Sequence, residues 1–155
     1  MIKIDDSGKD LRRGIDHIGV SASFVIHDGK GNVLLQKRGV GARDENGRWD
    51  IGGGAIELGE PILETVKREI REELCAEALD IQFLTVYDSF REHDGKNTHW
   101  IAIIHTVKVD PTEVKIGEPH KVDELRWVTS SNLPSLLHSQ FWKSYQLALD
   151  AGIVK

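Results

Sequence analysis

The stretch that follows Pro61 constrains the fold more than any other part of the chain. Its apolar residues recur at helical spacing and form one stripe on a helical wheel, as expected of a helix that packs against a sheet. The stripe consists of Ile62, Leu63, Val66, Ile70 and Leu74. Glu64, Lys67 and Arg71 point the opposite way, toward solvent. Because proline suits a first helical turn, the predicted helix runs from Pro61 to about Cys75.

Three further carboxylates lie on this helix but do not share its solvent face. Glu69, Glu72 and Glu73 have the i, i+3 and i+4 spacing that lets side chains touch, and Glu69 and Glu73 flank the apolar stripe. Like charges in such a place repel each other. Helix geometry alone leaves two interpretations open. The glutamates form either a solvated acidic face neutralised by Arg68 and Arg71, or a site for a hard divalent cation such as Mg²⁺.

Strand patterns lie on both sides of the helix. Before it, two runs rich in apolar and β-branched residues are separated by turn residues, which is typical of a hairpin. After it come the two strongest strand patterns, separated by a turn at 94–97, and then one short strand. The predicted strands cover 17–27, 33–38, 81–90, 99–109 and 125–128. Strands around a central helix indicate an α/β domain with a mixed sheet.

Two further helices are predicted near the C-terminus. Ser130 or Ser131 would cap a short helix that runs through Leu137, and 141–150 would form the terminal helix. Residues 1–14 have little to bury and are predicted to be a loose N-terminal arm. Residues 15–155 are predicted to form a single domain, since a chain of 155 residues is the usual size of one.

Composition limits the partners of the chain. The net charge of −5 means that the field of the whole protein will not attract duplex nucleic acid, so an anionic ligand needs a local metal ion, arginines or backbone amides. Cys75 is the single cysteine, which excludes an internal disulfide and suits the cytoplasm. No apolar run is long enough to cross a bilayer, so no membrane partner is expected. The sequence leaves a homodimer open.

Glycines ahead of the helix favour the metal-site interpretation. Residues 52–54 are three glycines, which let backbone amides approach phosphate oxygens. From Gly54 through Glu60 to the run 68–76, the spacing and every charged residue closely resemble the Nudix box. The departure is Cys75, where the family has glycine. With the strands outside the box, the resemblance covers residues 17–150.

The resemblance implies a Nudix-type α/β/α sandwich around a mixed sheet. It also implies hydrolysis of a nucleoside diphosphate linked to another group, with Mg²⁺ as cofactor and Mn²⁺ as an alternative. The metal-binding residues that it implies are Gly54, Glu69, Glu72 and Glu73. The catalytic residues that it implies are Arg68, Glu72, Glu73 and Glu118. Either a box glutamate or the loop residue Glu118 would be the general base, with Glu113 and Glu124 as weaker candidates, and Arg68 would orient a box glutamate, pairing with Glu64 and Glu72.

Residues near the glycines are candidates for substrate contact. The predicted substrate-binding residues are Arg38, Arg48, Trp49 and Gly53, with Arg43 and Trp100 as further candidates. Trp127 and Trp142 are assigned to the core, and Cys75 is expected to be a small buried residue. Nucleoside triphosphates, including oxidised ones, are favoured as substrates. The alternatives are ADP-ribose or another nucleotide sugar and, from a different class, a non-catalytic nucleotide sensor.

Overall fold

A mixed β-sheet with a helix on each face forms the centre of the computed structural model, which describes residues 10–155. The strands in these residues are β1 (Gly19–His27), β2 (Val33–Arg38), β3 (Trp49–Asp50), β4 (Gly52–Ala55), β5 (Asp80–His93), β6 (Lys96–Lys108) and β7 (Val122–Val128). The helices are α1 (Ile62–Leu74) and α2 (Phe141–Asp150), and a 3₁₀ turn covers Pro111–Glu113.

Strand β1 organises the sheet because three other strands pair with it. It runs parallel to β6 along its whole length, antiparallel to β4 through Ser21–Phe24, and antiparallel to β2 at its end, where Ile26 pairs with Leu34. The main order is β3-β2-β1-β6-β5, with β4 on β1 and β7 on β2. Strands β2 and β4 therefore share one edge of β1 and diverge from it, which opens space above the middle of the strand.

Alternation along β1 supplies a core on each side of the sheet. Ala22, Phe24 and Ile26 pack with Val66 and other buried residues of α1. The alternate face of the sheet, which includes Val25, packs against the buried side of α2. This period of two is what a strand buried on both faces requires. The α/β/α arrangement predicted from the sequence is thereby confirmed.

Helix α1 confirms the predicted helix, with two corrections. The apolar stripe is buried from Val66 onward, but Ile62 and Leu63 are 40% and 47% exposed. The helix ends at Leu74, and Cys75 follows in the left-handed conformation with φ of 56°. Cys75 is exposed, so the expectation of a buried cysteine was wrong. Cys75 therefore has the left-handed conformation that usually favours glycine at the end of a helix.

The short helix predicted from Ser130 or Ser131 through Leu137 does not form. Pro134 lies in the middle of this segment, lacks an N–H group and disfavours helical backbone in the residue before it. The segment makes extended contacts instead, since the Trp49 N–H donates to the Leu136 carbonyl at 2.7 Å and Leu137 forms a bridge with Trp49. The terminal helix at 141–150 is confirmed.

Two other local expectations change. Strands β5 and β6 extend beyond their predicted ends and meet at a tight turn of Asp94 and Gly95, whose φ values of 50° and 72° suit a type I′ hairpin. The glycines of 52–54 form most of β4. Trp142 is 49% exposed and lies outside the core, whereas Trp127 is half-buried against the α1 side.

The predicted N-terminal arm falls largely outside the described residues, which exclude 1–9. Within residues 10–14, the Gly14 carbonyl accepts from the His99 N–H at 2.8 Å, and Arg12 forms an ion pair with Asp16 at 2.9 Å. Across the described residues, α1 and α2 are both too short or too polar to cross a bilayer.

Candidate active site

A cavity of about 510 Å³ lies above β1, where β2 and β4 diverge. Two groups of charged side chains meet in or beside it. The glutamate cluster consists of Glu69, Glu73 and Glu118, all of which line the cavity. The arginine cluster consists of Arg38, Asp44, Glu45, Arg91 and His138, of which the two arginines and the histidine line the cavity.

Helix α1 holds two members of the glutamate cluster in positions with little solvent. Glu69 and Glu73 lie one turn apart beside the buried stripe and are 9% and 8% exposed. This is the placement that the helical wheel predicts. Glu72, three residues after Glu69, is half exposed and does not line the cavity. The helix therefore divides the three box glutamates between the cavity and the protein surface.

Strand β4 makes room for these carboxylates because it has almost no side chains. A Cβ atom on Gly54 would overlap the carboxyl group of Glu69. A Cβ atom on Gly52 would lie 2.6 Å from Glu73 Oε2, closer than side chains approach each other. The glycines thus serve a close approach of strand and helix.

Burial raises the pKa values of two carboxyl groups in the glutamate cluster. Burial raises the pKa of Glu73 to about 8, the nearby charges of Glu69 and Glu118 add to the rise, and a hydrogen bond from Gln36 Nε2 at 2.9 Å opposes it. Burial also raises the pKa of Glu69, against the opposing effect of the Arg68 guanidinium. Both shifts show that negative charge in this cluster is only partly compensated by the protein.

Arg68 ties the helix to the turn that precedes it. Its guanidinium donates to both carboxylate oxygens of Glu60, at 2.7 and 2.9 Å, to Glu69 at 2.8 Å and to Glu72 at 3.2 Å. The Arg68 contacts lower the pKa of Glu60 to about 2. The predicted pairing of Arg68 with Glu64 is wrong, since Glu64 pairs with Lys67 at 3.2 Å. Arg68 is therefore placed to orient carboxylates.

A loop packed on the end of α1 brings Glu118 into the cavity. The Gly117 N–H donates to the Glu73 carbonyl at 2.8 Å, and a Cβ atom on Gly117 would overlap the carbonyl oxygen of Glu72. Glu118 forms an ion pair with Lys121 at 3.2 Å. The weaker candidates, Glu113 and Glu124, do not line the cavity.

The donor set of the glutamate cluster fits a hard divalent cation. Glu69, Glu73 and Glu118 offer carboxylate oxygens to one cavity, and such oxygens are the ligands that Mg²⁺ accepts alongside water and phosphate. Gly54 lies directly beside Glu69 and also lines the cavity.

The predicted substrate contacts divide into two pairs. Arg38 and Gly53 line the cavity, whereas Arg48 and Trp49 do not. Trp49 is 5% exposed within the α2-side core, and the Arg126 guanidinium covers its ring at 4.4 Å. Arg48 Nη1 donates instead to the Leu137 carbonyl at 3.0 Å. For Arg48 and Trp49 the structure therefore contradicts the predicted contact, since both are engaged elsewhere.

Trp100 and Arg43, the further candidates, do line the cavity. The Arg43 guanidinium lies 5.1 Å from the centre of the Trp100 ring, a cation–π arrangement. They form an aromatic and cationic wall that could face a planar group.

The arginine cluster was missed by the sequence analysis. Asp44, Glu45 and His138 have ligand atoms within 4.8 Å of one another, as a metal site would. Arg91 already donates to both carboxylates, at 2.7 and 2.6 Å, and Arg38 donates to Asp44 at 3.0 Å. These residues therefore form an ion-pair network that links three separate segments of the chain.

Burial shifts the pKa values of two titratable groups, one in this network and one beside it, in the direction that favours the neutral form. Burial lowers the pKa of His138 to about 4, and the Gln140 N–H donates to its Nδ1, so Nε2 faces Glu45 at 2.8 Å. Burial raises the pKa of Asp50 to about 7. Asp50 lines the cavity, and its Oδ2 lies 3.5 Å from His138 Nδ1.

Gln36 is a second residue that the sequence analysis missed, although a signal was present. It is buried, follows three buried apolar residues in β2 and donates to Glu73. A polar residue that directly continues a buried apolar run needs a hydrogen-bond partner, and that requirement could have drawn attention to it.

Comparison with known proteins agrees with this geometry. The family model described as the NUDIX domain matches residues 17–148. An oxidized purine nucleoside triphosphate hydrolase of Danio rerio is 30% identical over 77% of this chain and 69% of its own length. An uncharacterized Nudix hydrolase of Yersinia pestis is 27% identical over 71% of this chain, which spans only 58% of that relative.

Solved structures show the same fold. The crystal structure of a MutT NUDIX hydrolase from Burkholderia pseudomallei has a TM-score of 0.74 and 27% identity, covering 84% of this chain and 98% of that one. The NUDIX domain of Shewanella oneidensis NrtR, solved with ADP ribose, has a TM-score of 0.71 at 17% identity, covering 87% and 88%. With Gly54, Glu69 and Glu73 of the box lining one cavity, and with the family model matching most of its length, this chain belongs to the Nudix hydrolase family.

Proposed function

We propose that this protein hydrolyses a nucleoside diphosphate linked to another group, with nucleoside triphosphates, including oxidised ones, as the favoured substrates. The observation that carries the proposal is the glutamate cluster: three carboxylates line one cavity and at least two are held there against the cost of burial. A structural role alone would not favour like charges in a buried position. The cluster is therefore maintained for a cationic ligand.

Glu69, Glu72 and Glu73, with Gly54, would hold Mg²⁺ or Mn²⁺. When bound, the metal lowers the pKa of a water molecule and neutralises phosphate oxygens. Glu69 and Glu73 already line the cavity, and Glu72 would take part from its rim, where Arg68 now bonds it at 3.2 Å. Arg68 is a positioning residue, because it fixes the carboxylates without lining the cavity.

Glu118 is the proposed general base, with a box glutamate as the alternative. It lines the cavity and, through Gly117, is attached to the same end of α1 that carries Glu73. Its carboxylate, which forms an ion pair with Lys121 at 3.2 Å, is a group that can accept a proton from an attacking water. Lys121 also lines the cavity, so it can turn toward the phosphates once Glu118 takes the proton.

Arg38 and Gly53 are the proposed contacts for the phosphates, and Trp100 with Arg43 forms the proposed wall for the base. Arg38 supplies positive charge, and Gly53 exposes its backbone to the cavity. The flat Trp100 ring offers a surface for stacking. The Danio rerio relative, an oxidized purine nucleoside triphosphate hydrolase, supports triphosphates as the first substrates to test.

The decisive experiment is a turnover assay of the purified protein with Mg²⁺ over a panel of nucleotides. The panel includes the ordinary and 8-oxo-purine triphosphates, ADP-ribose and nucleotide sugars, and both phosphate and pyrophosphate release are measured. We expect turnover of triphosphates. Preference for ADP-ribose would select the nucleotide-sugar alternative, and metal and nucleotide binding without any turnover would show a sensor.

Matched variants on α1 separate the metal site from an acidic surface. Glu69→Gln and Glu72→Gln should each lower turnover by at least about 100-fold, since each removes a ligand charge. Glu64→Gln is the control, because Glu64 lies on the solvent face of the same helix and pairs with Lys67. Equal turnover in all three variants would disprove the metal assignment.

A further inference from the structure

The face of the sheet opposite the cavity is left open along β5 and β6 by the described residues. On this side α1 packs across β1 and β4. Three side chains of β5 are more than half exposed: Phe83 at 64%, Val86 at 53% and Phe90 at 68%. Ile101 and Ile103 of β6 are half-buried beside them and pair with β5. These five residues form what we call the β5–β6 face.

An irregularity in β5 brings Phe83 to this face. Strict alternation would place Phe83 on the same side as Thr85 and Tyr87, and Tyr87 lines the cavity. The register shifts between Phe83 and Thr85, which reverses the alternation at Leu84. The Phe83 ring consequently meets the His105 ring edge-on, with their centres 6.0 Å apart. The bulge therefore adds an aromatic ring to the open face.

The β5–β6 face has little net charge. Among the side chains that β5 directs to this side between Phe83 and Phe90, the charged one is Asp88, and its Oδ1 lies 2.8 Å from His99 Nε2. The Phe90 ring lies over the ring of His99, with centres 4.5 Å apart. Depletion of charge around aromatic and aliphatic residues is typical of the centre of a protein interface.

The size of the face matches the apolar part of one ordinary interface. Phe83 and Phe90 each expose about two thirds of their surface. With Val86 and the two isoleucines, the exposed apolar area is roughly 400 Å², a size at which surface patches are often functional. An ordinary interface buries about 800 Å² on each partner. A little over half of this area is apolar, which is roughly the exposed apolar area of the face.

We propose that the β5–β6 face binds a second copy of this chain about a two-fold axis that passes near Val86. Val86 lies three residues after Phe83 and four before Phe90, so at about 3.3 Å per residue the two rings are roughly 10–13 Å to either side of it. A two-fold axis there places Phe83 of one copy against Phe90 of the other. The face is thus complementary to itself, as an interface between identical subunits requires.

The dimer leaves both cavities accessible. Tyr87, Ser89 and Arg91 line the cavity, while the intervening residues Val86, Asp88 and Phe90 face the second copy. Alternation along β5 therefore separates the two functions onto opposite sides of one strand. The interface does not depend on the proposed enzymatic activity and can be tested without a substrate.

Sedimentation velocity over a range of concentrations tests the proposal. The wild-type protein should sediment as a dimer of the 17.4 kDa chain at micromolar concentration. Val86→Glu should sediment as a monomer, because two carboxylates would face each other at the axis. The exposed Val86 position should tolerate the change without loss of folding, which circular dichroism checks.

A charge-swap experiment tests the position of the axis. Val86→Glu and Val86→Lys should each be monomeric alone, and an equimolar mixture should contain dimer again, because opposite charges then meet. Leu136→Glu is the control, since Leu136 is 56% exposed but lies outside the β5–β6 face, and it should remain dimeric. A monomeric wild-type protein, or an unchanged dimer in Val86→Glu, would overturn the proposal, and a mixture that stays monomeric would overturn the axis.

Discussion

The glutamate cluster and the arginine cluster both bring carboxylates into a confined space, but their charges are compensated differently. In the arginine cluster, Arg91 donates to Asp44 and Glu45 at 2.7 and 2.6 Å, and Arg38 adds a second guanidinium. In the glutamate cluster, Glu73 has a neutral partner, Gln36, and a raised pKa. Convergence of oxygen ligands is therefore a poorer sign of a metal site than a buried carboxylate whose own hydrogen-bond partner is neutral, as Gln36 is for Glu73.

The largest expected effect comes from Glu73→Gln, which removes charge from the glutamate cluster. Turnover with Mg²⁺ should fall by at least about 100-fold, because the metal loses a ligand charge. The stability of the metal-free protein should be unchanged or higher, because a buried like charge is removed. Turnover assays and urea unfolding in EDTA measure the two quantities. A large loss of metal-free stability would mean that Glu73 serves the fold.

The next largest effect concerns the arginine cluster. Arg91→Met should lower the free energy of unfolding by about 3 kcal/mol, because Asp44 and Glu45 would be left buried without their main partner. Urea unfolding measures the change. The control is Arg71→Met, whose ion pair with Glu77 is exposed and should contribute less than about 1 kcal/mol. Similar losses in the two variants would contradict the distinction between buried and surface pairs.

A smaller effect is expected in the pH dependence of the free energy of unfolding. Asp50, which lies between the clusters, contributes to it. Its folded pKa of about 7 exceeds the unfolded value, so its contribution to stability is complete below the unfolded pKa and is lost as pH rises toward 7. The corresponding slope is at most about 1.4 kcal/mol per pH unit. Asp50→Asn should remove this slope of stability against pH, whereas Asp94→Asn, a change at an exposed turn, should leave it in place. Unfolding in EDTA from pH 5 to 8 measures both, and equal slopes would place Asp50 in solvent.

The smallest expected effect comes from a substitution at Cys75, which should leave both clusters unchanged. Cys75→Gly should raise the free energy of unfolding by about 0.5–1 kcal/mol, because glycine adopts the left-handed conformation at 56° without the steric cost of a side chain. Cys75→Ala keeps that cost and should not stabilise. Thermal unfolding distinguishes them. If turnover changed in parallel with stability, the end of α1 would influence the glutamate cluster after all.

Much of the glutamate cluster could be predicted from sequence because its chemistry is local. Glu69 and Glu73 are fixed by one helix, and the periodicity of α1 places them beside its buried stripe. Glu118 was identified from the resemblance, and the structure brings it to the same cavity. Fold class followed from strands on both sides of one amphipathic helix, which is again a local pattern.

The arginine cluster could not be predicted because its members are separated along the chain. Asp44, Arg91 and His138 come from a loop, a strand and an irregular segment, and single-sequence patterns do not report such contacts. Trp49 shows that a pattern in the sequence can also indicate a contact that the fold does not make. Its position beside the glycines indicated a substrate contact, but its pairing with Leu137 places it in the core. The bulge at Leu84 could not be predicted either, because the sequence pattern assumes that successive strand residues alternate strictly between the two faces of the sheet.

Strand β4 has a consequence for how this protein can diversify. Its glycines are fixed from both sides, because Ser23 of β1 lies against Gly53, and Glu69 and Glu73 of α1 lie against its neighbours. Random substitution in this strand therefore meets steric overlap at nearly every position. In the wall formed by Trp100 and Arg43, Trp100 packs closely against Gly14 and Gly19, whereas Arg43 is half exposed and has no such restriction. Selection or engineering for a new substrate should accumulate changes there and leave the glycine strand untouched.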